Sequence, residues 1–264
     1  MVSADLTAPA GSRRLLGSPR RMQLAALVAV LAAWELTSIS GLIYRGVLPS
    51  WLEIGAALFR LLGTAAFWSN GAVTLFEIGV ALVVGCTIGT VTGLIVGSNR
   101  LLAASVEPLI NCIASTPKVI FLPILYLAFG IGVGSKIAAG SLGCFFPMVI
   151  GVTAAMLNMN PTLIRVGRSF GLPWWQMVWK IYFPSLVEPI GNGLRIAVGV
   201  AIGVCLIAET RFSYAGLGYM VIDSFNRSRF AQVYAILIVI IALAVAANAL
   251  VMRIGAGRGS RRSS

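Results

Sequence analysis

Apolar residues gather along this chain into six long blocks, roughly 22–44, 72–97, 107–131, 137–157, 186–208 and 231–253. Each reaches or passes the ~20 residues that a helix needs to cross ~30 Å of hydrocarbon. The third and fourth blocks contain Pro117, Pro123 and Pro147, which membrane helices tolerate when neighbours satisfy the freed carbonyls. A glycine-rich turn, Gly130 to Ser135, separates them. The pattern predicts an all-α, polytopic membrane protein with about six transmembrane helices.

Between the first two blocks, Ser50 followed three residues later by Glu53 is a capping-box pattern. It predicts a short apolar helix over 51–62, lying at the outer membrane face with Trp51 at headgroup depth. Residues 1–21 and 255–264 are polar and basic and are expected to be cytoplasmic tails, with the first span and outer helix over 22–70 and the main transmembrane domain over 71–254. The first block is too long, and too interrupted by Trp34-Glu35, for a cleaved leader.

Composition sharpens this picture. Of 264 residues 58% are hydrophobic and 11% charged, which excludes disorder and leaves little room for a soluble core. The net charge of +12 would suggest nucleic acid in a soluble protein. With both termini inside, however, twelve of the twenty bases fall in cytoplasmic segments, six fall outside, and Lys118 and Arg195 fall within spans. The basic character is therefore read as membrane topology and contact with anionic lipid, with no nucleic acid partner.

Chemistry is thin. There is no histidine, and Cys86, Cys112, Cys144 and Cys205 lie in four different apolar stretches without a CxxC, so they read as buried thiols and no metal site or catalytic residue is expected. No G-x-x-x-x-G-K-[ST] loop is present; the nearest string, Gly130 to Lys136, has Ser135 where the second glycine belongs. No cofactor is expected on this chain.

Four glycines, Gly85, Gly89, Gly93 and Gly97, repeat every fourth residue and fall on one helix face. They suit close packing within the subunit or a surface on which helices slide; Gly199 and Gly203 offer a shorter version. Glu35, Glu77, Glu107, Lys118, Glu188 and Arg195 lie in or beside the spans, where an isolated charge at mid-bilayer costs ~2.5–3.5 kcal/mol. Glu77, Glu107 and Glu188 are assigned to span ends, where solvation is cheap. Arg195 is deeper and is a candidate for lining a polar pathway.

The loop over 158–185 is the most informative segment. Asn160-Pro161 is an N-cap followed by proline at the first helical position. Leu163, Val166, Gly167 and Phe170 recur at i, i+3, i+4 and i+7, with Arg165 and Arg168 expected to point away, predicting an amphipathic helix over 161–170. Gly171 sits where a left-handed C′ residue ends a helix, and Pro173 starts a second helix, Trp174 to Ile181, expected to stop before Pro184. Such a helix–turn–helix is a linker resting on the headgroups or a docking element for a soluble partner.

The run from Arg165 through Ser169 to Gly171, then nine residues (Leu172 first), then Ile181-Tyr182-Phe183-Pro184, resembles the EAA loop of ABC importer permeases, whose pattern is EAA, three residues, Gly, nine residues, I-x-L-P. Glu107-Pro108-Leu109, Leu122-Pro123-Ile124, Phe145-Phe146-Pro147, Gly193-Leu194-Arg195 and Ala208-Glu209 with Ala215-Gly216-Leu217-Gly218-Tyr219 further resemble the nitrate, taurine and alkanesulfonate subfamily. The chain departs from the pattern where Arg165-Val166-Gly167 replaces Glu-Ala-Ala.

The resemblance implies a type I-like permease fold and a non-enzymatic subunit that forms the pathway for a small organic or inorganic solute, such as a sulfonate, taurine or nitrate. It also implies the partners: an ABC ATPase dimer carrying ATP and Mg, a second permease copy forming a homodimer, and an extracytoplasmic binding protein. Leu163, Arg165, Val166, Gly167, Arg168, Ser169, Phe170, Gly171, Leu172, Trp174, Ile181 and Pro184 would form the ATPase-coupling loop. The competing class is a secondary transporter or channel working without an ATPase.

Overall fold

The computed structural model describes residues 19–41 and 46–259. Residues 1–18, 42–45 and 260–264, which include most of the expected N-terminal tail and part of the C-terminal one, lie outside the described residues. The chain is built from helices α1 (Pro19–Ser40), α2 (Trp51–Leu62), α3 (Ala65–Gly97), α4 (Arg100–Ser115), α5 (Leu122–Phe129), α6 (Val133–Leu157), α7 (Pro161–Ser169), α8 (Trp174–Met177), α9 (Phe183–Arg211), α10 (Leu217–Asn226) and α11 (Phe230–Gly259).

Five helical rods are long and apolar enough to cross a membrane: Arg21–Ser40, Ala65–Gly97, Val133–Leu157, Trp174–Arg211 and Phe230–Arg253. The expected span over 107–131 is instead a broken pair, Arg100–Ser115 and Lys118–Phe129, bent by 87°; counted as one crossing it makes six. The break follows from Pro117. Proline disfavours the helical region for the residue before it, and Thr116 is extended at ψ 134. Lys118 then folds back, its ammonium donating to the carbonyls of Ala114 at 2.5 Å and Thr116 at 2.7 Å at the frayed end of α4.

Helix ends follow local chemistry. Ser50 and Glu53 form the anticipated reciprocal capping box on α2. Thr64 Oγ1 accepts from Phe67 N at 3.3 Å and starts α3 well before residue 72, because a cap, not hydropathy, fixes where a helix begins. At the other end of the chain α11 runs to Gly259, past the expected tail boundary at 255, since no proline stops it.

The segment after Pro173 also differs from expectation. Its helix does not stop before Pro184 but joins α9 through a π-turn over Val178–Tyr182, giving one rod from Trp174 to Arg211. Phe183 N donates to Val178 O, five residues back. The wider turn accommodates the proline, which lacks an N–H and would clash with a regular turn.

Helix α6 sits at the centre, between α3 and α9. Ile78, Ala81, Cys144, Met148, Val152, Leu186, Ala197, Ala201 and Cys205 form the main core there. A second cluster, around Ile54, Leu61, Phe67, Leu217 and Ile236, ties α2 and α10 to α11. Helix α1 joins the periphery, where Trp34 Nε1 donates to Pro49 O at 3.1 Å. The outward faces keep Val83, Ile88, Val91, Ile241 and Val245 exposed, an apolar surface suited to lipid.

Candidate functional site

The 158–173 turn and the start of the following rod form one built unit. Asn160 Oδ1 accepts from Thr162 N at 2.9 Å and caps α7. At the other end Gly171 takes φ +62, Leu172 N donates to Gly167 O at 3.2 Å, and Gly171 N donates to Arg168 O at 2.9 Å. These two bonds make a Schellman motif, which needs the left-handed residue that glycine supplies without strain.

The face by which α7 is seated is not the expected one. Ile164 and Gly167 pack inward, with Leu172, against Met177 and Ile181 of the rod. A Cβ on Gly167 would stand 2.5 Å from Met177 Sδ and would also press on Ile181 Cδ1. The glycine that replaces the last alanine of Glu-Ala-Ala therefore lets α7 lie close against the rod. Leu163, Val166 and Phe170 are left 46%, 48% and 78% exposed and share one outer face at i, i+3 and i+7. Arg165, Arg168 and Ser169 are also exposed, so the outer surface of α7 is mixed apolar and basic. Trp174, at the head of the rod, is exposed and stacks edge-on against Tyr182 at 5.6 Å between centroids. Ile181 is half-buried, and Pro184 lies in the first turn of α9.

The glycine ladder is the seam between α3 and α6. A Cβ on Gly89 would lie 2.7 Å from Phe145 O and 2.8 Å from Met148 Cβ, and one on Gly93 would lie 2.8 Å from Val152 Cβ. Gly85 faces Cys144 and Gly97 faces Met156 in the same manner. Gly199 and Gly203 differ: a Cβ on either would meet nothing within 4 Å, so they do not repeat the seam.

Arg195 is exposed on α9 beside a cavity of about 620 Å³ between α9 and α11. Asn192 and Asn248 line the same cavity.

A buried polar network at the opposite end of the spans was missed by the linear reading. Glu209, fully buried, accepts from Thr74 Oγ1 at 2.6 Å and from Gly218 N at 2.6 Å. Thr74 Oγ1 in turn accepts from Leu217 N at 2.8 Å, and Asn70 Oδ1 accepts from Gly216 N at 2.7 Å. The start of α10, a helix with no side-chain cap of its own, is thus satisfied by α3 and α9. Glu77 is 1% exposed rather than solvated at a span end, and its Oε2 has no hydrogen-bond partner among the described residues. Lys136, counted among the outer loops by its position in the chain, is fully buried beside Glu77 and Glu209 and donates to Phe212 O at 3.0 Å and to Ile131 O. Only the Glu209 and Gly216-Leu217-Gly218 strings hinted at this cluster. Cys112 also departs from expectation: it is exposed, whereas Cys144 and Cys205 are buried.

Comparison with known proteins places this architecture. The family model of the binding-protein-dependent transport system inner membrane component matches residues 85–257, and the chain belongs to that family. It is thus a multi-pass inner-membrane permease component of an ABC importer, a transport protein of a family for which an EAA loop is typical. The chain is 27% identical to the taurine transport system permease protein TauC of Escherichia coli, covering 76% of this chain and 74% of the relative. It is 24% identical to the nitrate import permease protein NrtB of Leptolyngbya laminosa over 95% of both chains. Among solved structures, an inward-facing MetNI methionine ABC transporter matches with a TM-score of 0.60 and 20% identity, covering 76% of this chain and 96% of that one, which shows a shared fold.

Proposed function

We propose that this permease works as a pair of identical copies above an ATPase dimer, which grips the 158–185 loop. The observation that carries this reading is the stripe of Leu163, Val166 and Phe170, exposed on a helix whose other face is already seated. A helix that enters a partner's groove needs such an apolar stripe on its outer face. Arg165 and Arg168 flank the stripe and suit an acidic rim on the partner.

ATP and Mg belong to the partner in this scheme, and the permease itself does no chemistry. Closure of the ATPase dimer pushes α7. Because α7 is locked to the rod at Gly167, the push passes into α9 and into the α3–α6 seam, opening the pathway to alternate sides. Both termini face the cytoplasm, in keeping with the excess of basic residues on that side. An extracytoplasmic binding protein delivers the solute, which the taurine and nitrate relatives suggest is a small organic or inorganic solute carrying an anionic group. Arg195 lines the pathway.

Co-purification tests the scheme. An ABC-type ATPase retained by the wild type in mild detergent should be lost from Phe170→Asp, with the permease itself still monodisperse. Retention of the ATPase by that variant, or nucleotide-independent solute flux through the isolated chain in liposomes, would overturn it.

A further inference from the structure

We infer that the cytoplasmic end of the rod carries an inner-leaflet lipid anchor, formed by Trp175, Trp179 and Phe183 with Lys180, whose partner is the headgroup of an anionic phospholipid.

Trp175, Trp179 and Phe183 recur every fourth residue and are 62%, 64% and 44% exposed. The rings of the last two touch, 5.3 Å between centroids. Met177 and Ile181 are the residues of the rod that meet α7 at Gly167. Residues two apart on a helix lie about 200° round its axis, so the aromatic stripe stands on the side of the rod away from α7. A partner that grips the outer face of α7 therefore leaves the stripe free, and no described helix covers it.

Depth picks out the occupant. Helices α6 and α9 run antiparallel, with Gly140 against Cys205 and Gly193 against Met148. Nine residues on from Met148 is Leu157, the last of α6, and nine back from Gly193 is Pro184, so these two stand level. Phe183 is thus at the inner end of the span, and Trp179, four residues further out, is about 6 Å beyond it. The headgroup layer on each face of a bilayer is roughly 5–7 Å deep. The stripe passes through it.

The chemistry suits that layer. The indole N–H groups of Trp34, Trp51 and Trp68 each donate to a backbone carbonyl, whereas those of Trp175 and Trp179 have no acceptor among the described residues. Lys180 gives one donor to Gln176 Oε1 at 3.3 Å and keeps two for other oxygens. Residues 158–187 include Arg165, Arg168 and Lys180 and no acid, so nothing in the segment competes for the ammonium. Rings with an apolar body and a polar tip, beside a lysine, complement phosphate oxygens lying over acyl chains. The excess of bases selects an anionic headgroup over a zwitterionic one.

Trp179 and Lys180 belong to the π-turn over Val178–Tyr182, a local irregularity of the kind that often marks a moving part. A headgroup held there steadies the turn while α7 is pushed. This consequence rests on the ATPase scheme above; the lipid contact does not.

The test uses the full chain, with any ATPase that accompanies it, labelled with 5-fluorotryptophan in phosphatidylcholine nanodiscs. Trp179→Phe assigns the Trp179 fluorine signal. That signal should broaden when lipid carrying a nitroxide on its headgroup is included, and should shift saturably with added phosphatidylglycerol but not with phosphatidylethanolamine. Lys180→Gln should weaken the phosphatidylglycerol response roughly 5-fold, and Lys180→Arg should leave it near wild type. An unbroadened signal, equal responses to the two lipids, or an unchanged response in Lys180→Gln would overturn the anchor. Broadening in the permease alone that vanishes when the ATPase is bound would assign the surface to the ATPase and overturn it as well. Absence of any co-purifying ATPase with the lipid response intact would instead count against the importer scheme and leave the anchor standing.

Discussion

Thr74 Oγ1 donates to Glu209 Oε1 across 2.6 Å, joining α3 to α9 over 135 residues of chain. The same oxygen accepts from Leu217 N, so one hydroxyl holds two spans and the first turn of α10 together. Beside it lie Glu77 and Lys136, and all four side chains are at most 1% exposed. In a fold whose main core is apolar and non-directional, such a network fixes register.

Thr74→Val keeps the shape but leaves Glu209 Oε1 and Leu217 N unpaired. It should cost about 3 kcal/mol, since each stranded buried group costs roughly 1–3 kcal/mol. Thr74→Ser retains the hydroxyl and should stay close to wild type. Thermal unfolding of the purified protein in a fixed detergent measures both.

Among the described residues Lys136 is the base placed beside Glu77 and Glu209. Lys136→Met removes the ammonium that donates to Ile131 O and Phe212 O and should destabilise the outer end of the bundle by about 1–3 kcal/mol for each buried carbonyl left unpaired. Adding Glu77→Gln in the same chain should recover part of that loss. A double-mutant cycle read by unfolding temperature or expression level tests the coupling; additive losses would show that the groups act independently.

Two glycines of α3 should respond in opposite ways. Gly89→Leu drives a side chain into Phe145 O and Met148 Cβ and should cost at least the 1–3 kcal/mol typical of overpacking. Gly79→Ala meets open space and should be neutral or stabilising by up to about 1 kcal/mol through helix propensity. The comparison separates a packing seam from a tolerance for any small residue, and retained monodispersity on size-exclusion chromatography is the readout.

Gly171→Val forces a β-branched residue into φ +62, a conformation that costs an L-residue about 1–2 kcal/mol. The strain falls on the turn that seats α7, at a residue that is itself exposed. The expected outcome is a permease of near-normal unfolding temperature whose ATP-driven solute uptake is sharply reduced. Gly171→Asn, which tolerates the left-handed region, should keep most of the uptake.

Much of the fold was legible because the signals are local. Ser50 with Glu53, Asn160 with Pro161, and Gly171 each define a helix end within one turn of chain, and each acts as its chemistry dictates. Where the linear reading failed, the deciding partner was distant. The side of α7 that faces inward depends on Met177 and Ile181, so Leu163, Val166 and Phe170 could equally have been its buried face. Pro184 looked like a stop until the π-turn absorbed it.

The sequence by itself determined the length and apolarity of the spans, the capped ends and the family motifs, because hydropathy and capping act over a few neighbouring residues. Only the tertiary structure decided which polar groups are safe in the membrane. Glu77 looked like a span-end charge and Lys136 like an outer-loop one until the fold buried them beside one another, whereas Arg195 is exposed beside a groove with no acidic residue in its described lining. The physical reason is that the cost of a charge in hydrocarbon depends on what lies within a few ångströms of it, and the fold brings those neighbours from distant parts of the chain.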